Sequence, residues 1–421
     1  MHYAASSFFG RSTGAGALAI WTHNFKTTKI INYSSAAYTG PAIQVGAGVQ
    51  GFEMLEAATA AGYVAVTGEC PTVGVAGGYT QGGGHSALST AFGLGADQTL
   101  EFQVVTAAGT VVTASASTNP DLYWALSGGG GGTYGVVVSM TSKVHPEATV
   151  GGATLAFAAA ATTQDNFNQA VSQFHAMLPT MIDQGAMVIY FFNNQFFQIQ
   201  PLTAYNSTSA YVQNIVLAPF TALLTQLNIP FAVNYTQLSY FDHYSTYMGP
   251  LPNGNLAVED YQYGSRLIPR SVLEQNNDAL QVVLQNLTAN GVLLAGSSAS
   301  FVQPAGVHNA VFPAWRNATV HLQLGTPWNE TAPWSDMIAA QMVMTNDFMP
   351  QLEAVTPGSG SYVNEADFRQ PNWQETFFGS NYAALLAIKK KWDPNSLFYG
   401  LSLVGSEAWT VGSDGRMCPS P

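Results

Sequence analysis

Residues 68–90, GECPTVGVAGGYTQGGGHSALST, set one thiol, Cys70, and one imidazole, His85, among seven glycines. Glycine has no Cβ, so backbone N–H groups there can approach a pyrophosphate or a planar ring, and positive φ costs little. A thiol in such a loop is placed to react with a bound group. The alternative is an inert buried cysteine, the commoner fate of a free thiol. His85 either polarises a ligand or satisfies nearby backbone. Cys418 is the only other cysteine, which excludes a disulfide framework. No histidines stand at metal-ligand spacing, and no Cys-x-x-Cys, GxSxG or GxxxxGK[ST] motif occurs, so no metal, nucleophile elbow or P-loop is expected.

Two further glycine clusters, residues 46–51 and 127–137, are embedded in apolar β-type runs, which favours a ligand cradle over a flexible linker. The run AIQVGAGVQGFEMLEAA reads as strand, GxGxxG and helix. Glu69 then falls about where a nicotinamide-binding Rossmann fold places its ribose-binding acid. Against that reading, the next residues are the cysteine-glycine loop and not another αβ repeat.

The elements that must position these residues follow from periodicity. Alternation predicts a strand near 41–47, a helix through Phe52, Leu55 and Ala58, a strand YVAVT, and a hairpin in LEFQVVTAAGTVVTAS. Asn119-Pro120 supplies an N-cap and a first-turn proline for DLYWAL. Beyond about 151, Phe167, Val171, Phe174 and Leu178 recur at helical spacing. MVIYFFNNQFFQIQ reads as two strands hinged at Asn193-Asn194, and ATVHLQLG as a further strand. A last helix places Tyr382, Leu385 and Lys389 on one face and stops at Asp393-Pro394. The class is α+β, with a glycine-rich unit over residues 1–147, an antiparallel sheet backed by helices over 148–355, and a closing segment over 356–421.

Only 9% of residues are charged and the formal balance is −12, so no basic footprint exists for nucleic acid or an anionic membrane. No apolar run reaches the roughly 18 residues of a membrane span. Six Asn-x-Ser/Thr sequons, at Asn32, Asn206, Asn234, Asn286, Asn317 and Asn329, point to a secreted glycoprotein, although residues 1–16 carry no signal-peptide pattern.

The cysteine-glycine loop, together with GRSTGAGALAIWTHN, VGAGVQG, NPDLYWALSGGGGGTYGVV, YVNEAD and NWQETFFGSNYAALLAIKKKWDP, resembles the berberine bridge enzyme-like FAD-linked oxidases of the vanillyl-alcohol oxidase superfamily, in their fungal form. The resemblance implies a PCMH-type FAD-binding domain and a substrate domain. It makes Cys70 the residue bonded to flavin C6, places Val73, Gly74, Gly77, Gly78, Gly83 and His85 along the cofactor, Gly135 and Val136 at its adenine side, and returns Asn381 and Tyr382 to the ring. It also makes VGAGVQG an ordinary strand-to-helix turn. The family's Gly-His-Asp, with a second covalent anchor, is replaced by Ser6 and Ser7, and the family's preceding lobe is expected to be missing. Cys418 would then lack the disulfide partner that relatives supply.

By the same resemblance, hydride passes from a C–H beside an alcohol or amine to flavin N5, and dioxygen is reduced to hydrogen peroxide. The substrate is a carbohydrate or a secondary metabolite, and the protein acts as a monomer. In several members of the family the base is a tyrosine after YVN; here Glu365 holds that place, as a base if burial lifts its pKa toward neutrality, with Tyr362 as fallback. Residues 240–248 and Trp315 are expected pocket walls. The rival readings are a non-redox member of the fold and the nicotinamide dehydrogenase.

Overall fold

Strands form where β-branched and aromatic residues alternate with small or polar ones, because successive side chains take opposite faces. In the computed structural model, which describes residues 10–255 and 261–420, β1 (Thr28–Ser34) and β2 (Thr39–Gly46) pair with Ile30 opposite Ile43. Ser6 and Ser7 lie outside the described residues. Helix α1 (Gly51–Thr59) buries Leu55 and Ala58 as expected, while Phe52 is only half-buried and Met54 takes the buried place instead. β3 (Thr99–Val105) and β4 (Val111–Ser115) form the expected hairpin. After α2 (Pro120–Leu126), β5 (Val136–Lys143) completes a five-stranded antiparallel sheet of order β1-β2-β5-β3-β4.

Two local expectations change, and a rival reading is excluded. Asn119 does not cap α2 with its side chain; it takes a left-handed conformation, φ 50°, and its amide donates to the Thr113 carbonyl at 2.7 Å. YVAVT gives only a two-residue strand, Tyr63–Val64, paired with His145–Pro146, because the buried Ala65, Val66 and Thr67 find no partner strand. The Rossmann reading of VGAGVQG fails on space. A Cβ on Gly46 would lie 2.3 Å from the Phe25 carbonyl oxygen, and one on Gly48 2.2 Å from that of His23. These glycines admit the protein's own backbone where a dinucleotide would sit, and β2 belongs to an antiparallel sheet.

The second sheet has seven antiparallel strands. β6 (Val150–Ala158), α3 (Gln164–Asp183), β7 (Ala186–Phe192), β8 (Phe196–Tyr205), β9 (Ala232–Leu238), α4 (Tyr240–Met248), β10 (Tyr261–Pro269), α5 (Asn277–Ala289), β11 (Leu293–Ser298) and β12 (Ala318–Pro327) follow along the chain. The sheet order is β9-β6-β8-β7-β11-β12-β10. β7 and β8 turn at Asn193-Asn194, where Asn193 Oδ1 accepts the Gln195 and Phe196 amides at 2.8 and 3.2 Å.

One face of this sheet packs on helices. Val188, Tyr190, Phe192, Leu294, Leu322 and Leu324 join the apolar stripe of α3 in one buried cluster. Phe174 sits at its centre, with ring centroids 4.9 Å from Tyr190, 4.7 Å from Phe197 and 5.2 Å from Phe220. His175 Nδ1–H donates to the Val171 carbonyl at 2.9 Å, so its Nε2 accepts the Tyr190 hydroxyl at 3.0 Å. Burial holds that imidazole neutral by lowering its pKa to about 4.

In the closing helix α6 (Tyr382–Trp392), Leu385 and Lys389 of the expected face are buried and Tyr382 is half-buried. The Lys389 ammonium is bound by Asp393 and donates to the Phe398 carbonyl at 2.6 Å, closing the turn beyond the helix. No described helix is long and apolar enough to cross a membrane. Phe174→Ala is expected to cost about 3–5 kcal/mol, read as a lower denaturant midpoint, because the rings around it cannot collapse into the space.

Candidate active site

The other face of the seven-stranded sheet is built by register. Cross-strand pairing sets Phe191, Ala295 and Gln323 side by side on β7, β11 and β12, and sets Ile189, Ser297 and His321 in the next row. Leu293 and Gly325, paired with Tyr263, make a third. Over these rows lies a cavity of ≈ 170 Å³. Its opposite wall is Glu69, Cys70, Val73 and His85 of the glycine loop with Tyr362 and Glu365 of the closing segment.

Bare backbone in that loop admits two side chains. A Cβ on Gly84 would lie 2.8 Å from Tyr79 Cζ, and one on Gly82 2.4 Å from Asn364 Nδ2. Tyr79 donates its hydroxyl to the His85 carbonyl at 3.0 Å. Asn364 donates to the Gly78 carbonyl at 2.7 Å and to the Tyr362 hydroxyl oxygen at 2.9 Å. The closing segment is thereby clamped to a loop nearly three hundred residues earlier.

The electrostatics centre on His85. Its Nε2 faces Glu365 Oε2 at 3.3 Å and its Nδ1 faces Glu69 Oε1 at 3.6 Å. Burial opposes charge on His85, but Glu365 and then Glu69 hold its pKa up at about 9. For Glu365, burial raises the pKa, yet His85, His321 and the Gln323 amide bring it down to about 2. The sequence expectation that burial lifts Glu365 toward neutrality is therefore reversed: the donors around the carboxylate outweigh its desolvation. Glu69 moves the other way, raised chiefly by burial and by the Glu365 charge against the pull of His85 and Ser297.

His321 is neutral, its pKa lowered to about 3 by burial. Burial first, then Glu365, pushes the Tyr362 phenol up. Burial, with Glu69 and Glu365, pushes the Cys70 thiol up to about 12. Donor atoms of His85, His321 and Glu365 lie within 4.8 Å of one another. With His85 protonated, its Nε2 and the Glu365 carboxylate form an ion pair.

Of the residues singled out in the sequence, Cys70, Val73, His85, Tyr362 and Glu365 meet on this cavity. Gly74, Gly77, Gly78 and Gly83 build the loop behind it. Gly135 and Val136 do not reach it; Gly135 lies beside Val104 where β5 enters its sheet, and Val136 pairs with Val105. Asn381 and Tyr382 do not reach it either. The Asn381 amide donates to the Ala310 and Val311 carbonyls, and Tyr382 donates to Glu407. Trp315 is buried behind His321 and Tyr362, with ring centroids at 5.5 and 5.3 Å. Within α4, Tyr247 and Met248 line an adjoining hollow that also touches Glu69. Cys70 and Cys418 are both free thiols. Sequence reasoning missed Glu69 as a cavity residue, and missed His321 and Gln323; only their alternation with Val320, Leu322 and Leu324 marks that face.

The sequence matches the family described as "Berberine and berberine like" over residues 361–400 and that described as "FAD binding domain" over residues 4–115. The FAD-linked oxidoreductase ZEB1 of Gibberella zeae is 51% identical over 98% of this chain and 73% of its own length. The chain belongs to the berberine-like FAD-linked oxidoreductases. The VAO-type flavoprotein oxidase VAO615 of Thermothelomyces thermophilus is 41% identical over 98% of this chain and 72% of its own. The crystal structure of the VAO-type flavoprotein MtVAO615 from Myceliophthora thermophila C1 superposes with a TM-score of 0.94 at 40% identity, covering 99% of this chain and 76% of that one. The fold is thus the VAO-type FAD-binding fold, and the cofactor of this berberine-like oxidoreductase is FAD.

The residues present fit that cofactor. Cys70, half-buried, opens on the cavity, and Gln81 Oε1 is buried without a hydrogen-bond partner among the described residues where the loop meets the second glycine cluster. A Cβ on Gly131 there would lie 3.4 Å from Gly78 Cα, so the two glycine runs touch with no side chain between them.

The ion pair gives a signed pH dependence. His85 contributes its full stabilisation below its ordinary value of 6.5 and loses it as pH rises through about 9. Glu365 contributes above its ordinary 4.5 and loses it as pH falls through about 2. The melting-temperature gap between the protein and Glu365→Gln is expected to be widest between 4.5 and 6.5 and to narrow on both sides. A gap independent of pH would show that the pair carries no stability.

Proposed function

We propose that this berberine-like oxidoreductase is an oxidase of a small, largely apolar alcohol, and that dioxygen is its electron acceptor. One observation carries the reading: Cys70, His85, Tyr362 and Glu365 converge on one compact cavity whose remaining walls are mainly apolar. An oligosaccharide needs a long groove lined by hydrogen-bonding groups. Phe191, Ile189 and Leu293 instead favour a ring or short hydrocarbon body. Of the two substrate classes the sequence left open, the secondary metabolite fits.

FAD supplies hydride acceptance and reoxidation by dioxygen. The chain supplies position and charge. The apolar rows hold the substrate body and exclude water. Glu365, fixed as a carboxylate, and the His85 imidazolium orient the hydroxyl. Tyr362 remains a phenol and closes the wall. Cys70 is the covalent tether of the resemblance. A tether beside this cavity would bring the reacting edge of the flavin to the substrate hydroxyl.

Purified protein should be yellow, lose its flavin absorbance anaerobically with a small aromatic alcohol, and release hydrogen peroxide in air. A flavin no alcohol reduces would support the non-redox reading. Acid precipitation should leave the colour in the pellet, and Cys70→Ala should release it to the supernatant; colour released equally from both would remove the tether.

Secretion is proposed on the six sequons, whose asparagines are all exposed. Peptide N-glycosidase treatment of protein from a fungal secretory host is expected to reduce its mass, and an unchanged mass would count against it.

A further inference from the structure

We infer that Glu69, on the loop beside Cys70, is the group that takes the substrate's hydroxyl proton, and that Glu365 instead fixes His85 as the charged partner between the two carboxylates. This rests on the alcohol-oxidase reading of the same cavity. The two acids face opposite nitrogens of one imidazole, at 3.6 Å for Glu69 and 3.3 Å for Glu365, and both open on the cavity. Their surroundings differ. Glu365 Oε2 is met by His85 and by the Gln323 amide. Glu69 takes one hydroxyl, from Ser297 to Oε1 at 3.2 Å, leaving Oε2 without a hydrogen-bond partner among the described residues.

Donors aimed at a carboxylate stabilise its charged form and make it a poor proton acceptor. The carboxylate with fewer donors is the better base, and the direction of the Glu69 shift agrees. Its placement also suits the task. Tyr244 donates to the carbonyls of Gly68 and Glu69 at 2.8 and 3.2 Å, so the backbone bearing the acid is held immediately before Cys70. The ionisable groups facing Glu69 are His85 and Glu365, Cys70, and the phenols of Tyr79, Tyr240 and Tyr244. Burial keeps the thiol and the phenols protonated at neutral pH, which leaves Glu69 as the unsaturated acceptor.

The step balances. The substrate O–H bond breaks with its proton passing to a Glu69 oxygen, the adjacent C–H bond breaks with its electron pair passing as hydride to FAD, and a C=O bond forms. The two electrons and two protons leave together as hydrogen peroxide when dioxygen is reduced.

The test is anaerobic stopped-flow bleaching of the flavin-loaded protein with 4-methoxybenzyl alcohol across pH. The wild-type rate is expected to rise with pH through the Glu69 titration. Glu69→Gln should lower the limiting rate about 100-fold or more and abolish the rise, with flavin content unchanged, and Glu69→Asp should restore part of it. Glu365→Gln should keep a rise. Ser297→Ala, which removes a donor that lowers the Glu69 pKa, should move the rise to higher pH, and it carries the test if Glu69→Gln does not hold flavin. A Glu69→Gln rate within about threefold of wild type, or an unmoved profile in Ser297→Ala, overturns the assignment while the oxidase reading stands. Wild-type protein that the alcohol cannot bleach overturns both.

Discussion

The site depends on a buried ion pair between residues that are remote in the chain. His85 and Glu365 are each almost fully buried and 3.3 Å apart. Taking two charges out of water is expensive, and the attraction repays it only when the remaining polar atoms are also met. Here the Gln323 amide donates to Glu365, and the Glu69 carboxylate lies 3.6 Å from the other His85 nitrogen as a second opposite charge. The pair therefore constrains three separately encoded pieces at once: the glycine loop, the closing segment and strand β12. None of them can shift without exposing an uncompensated charge.

That constraint explains where the glycines are spent. In a loop that wraps a flat cofactor, bare backbone is expected to face the ligand. Several of these glycines instead make room for Tyr79 and Asn364, which hold the loop to its own protein. Rigidity before the cofactor arrives keeps carboxylates and imidazole at fixed spacing, and electrostatic stabilisation requires that preorganisation.

The legible and illegible parts of the sequence divide along physical lines. The hairpin at Asn193-Asn194, the buried stripe of α3 and the face of α6 could be read because period and turn chemistry are local. The antiparallel sheet backed by helices followed from the same cues. The sequence offered Glu69 only a ribose-binding role, already opposed by the cysteine-glycine loop that follows it; the carbonyls of His23 and Phe25 against Gly48 and Gly46 and the antiparallel pairing of β2 exclude that role, while the place of Glu69 on the cavity is set by tertiary packing that no local motif shows. His321 and Gln323 could not be found, since strand register alone brings them beside Ser297 and Ala295. The charge state of Glu365 depends on a histidine 280 positions away, so burial alone gave the wrong sign.

The seven-stranded sheet separates two demands that most pockets entangle. Even-numbered positions on β7 and β11, with their partners on β12, carry the helix-packed cluster, while the odd ones alternate into the cavity. Exchange of Leu293 for another apolar residue reshapes what the pocket admits and leaves the helix-packed layer intact, whereas Ile189 and Phe191 also pack against the buried cluster on the cavity side. Divergence of substrate range among descendants of such a scaffold then needs no compensating repair of the fold.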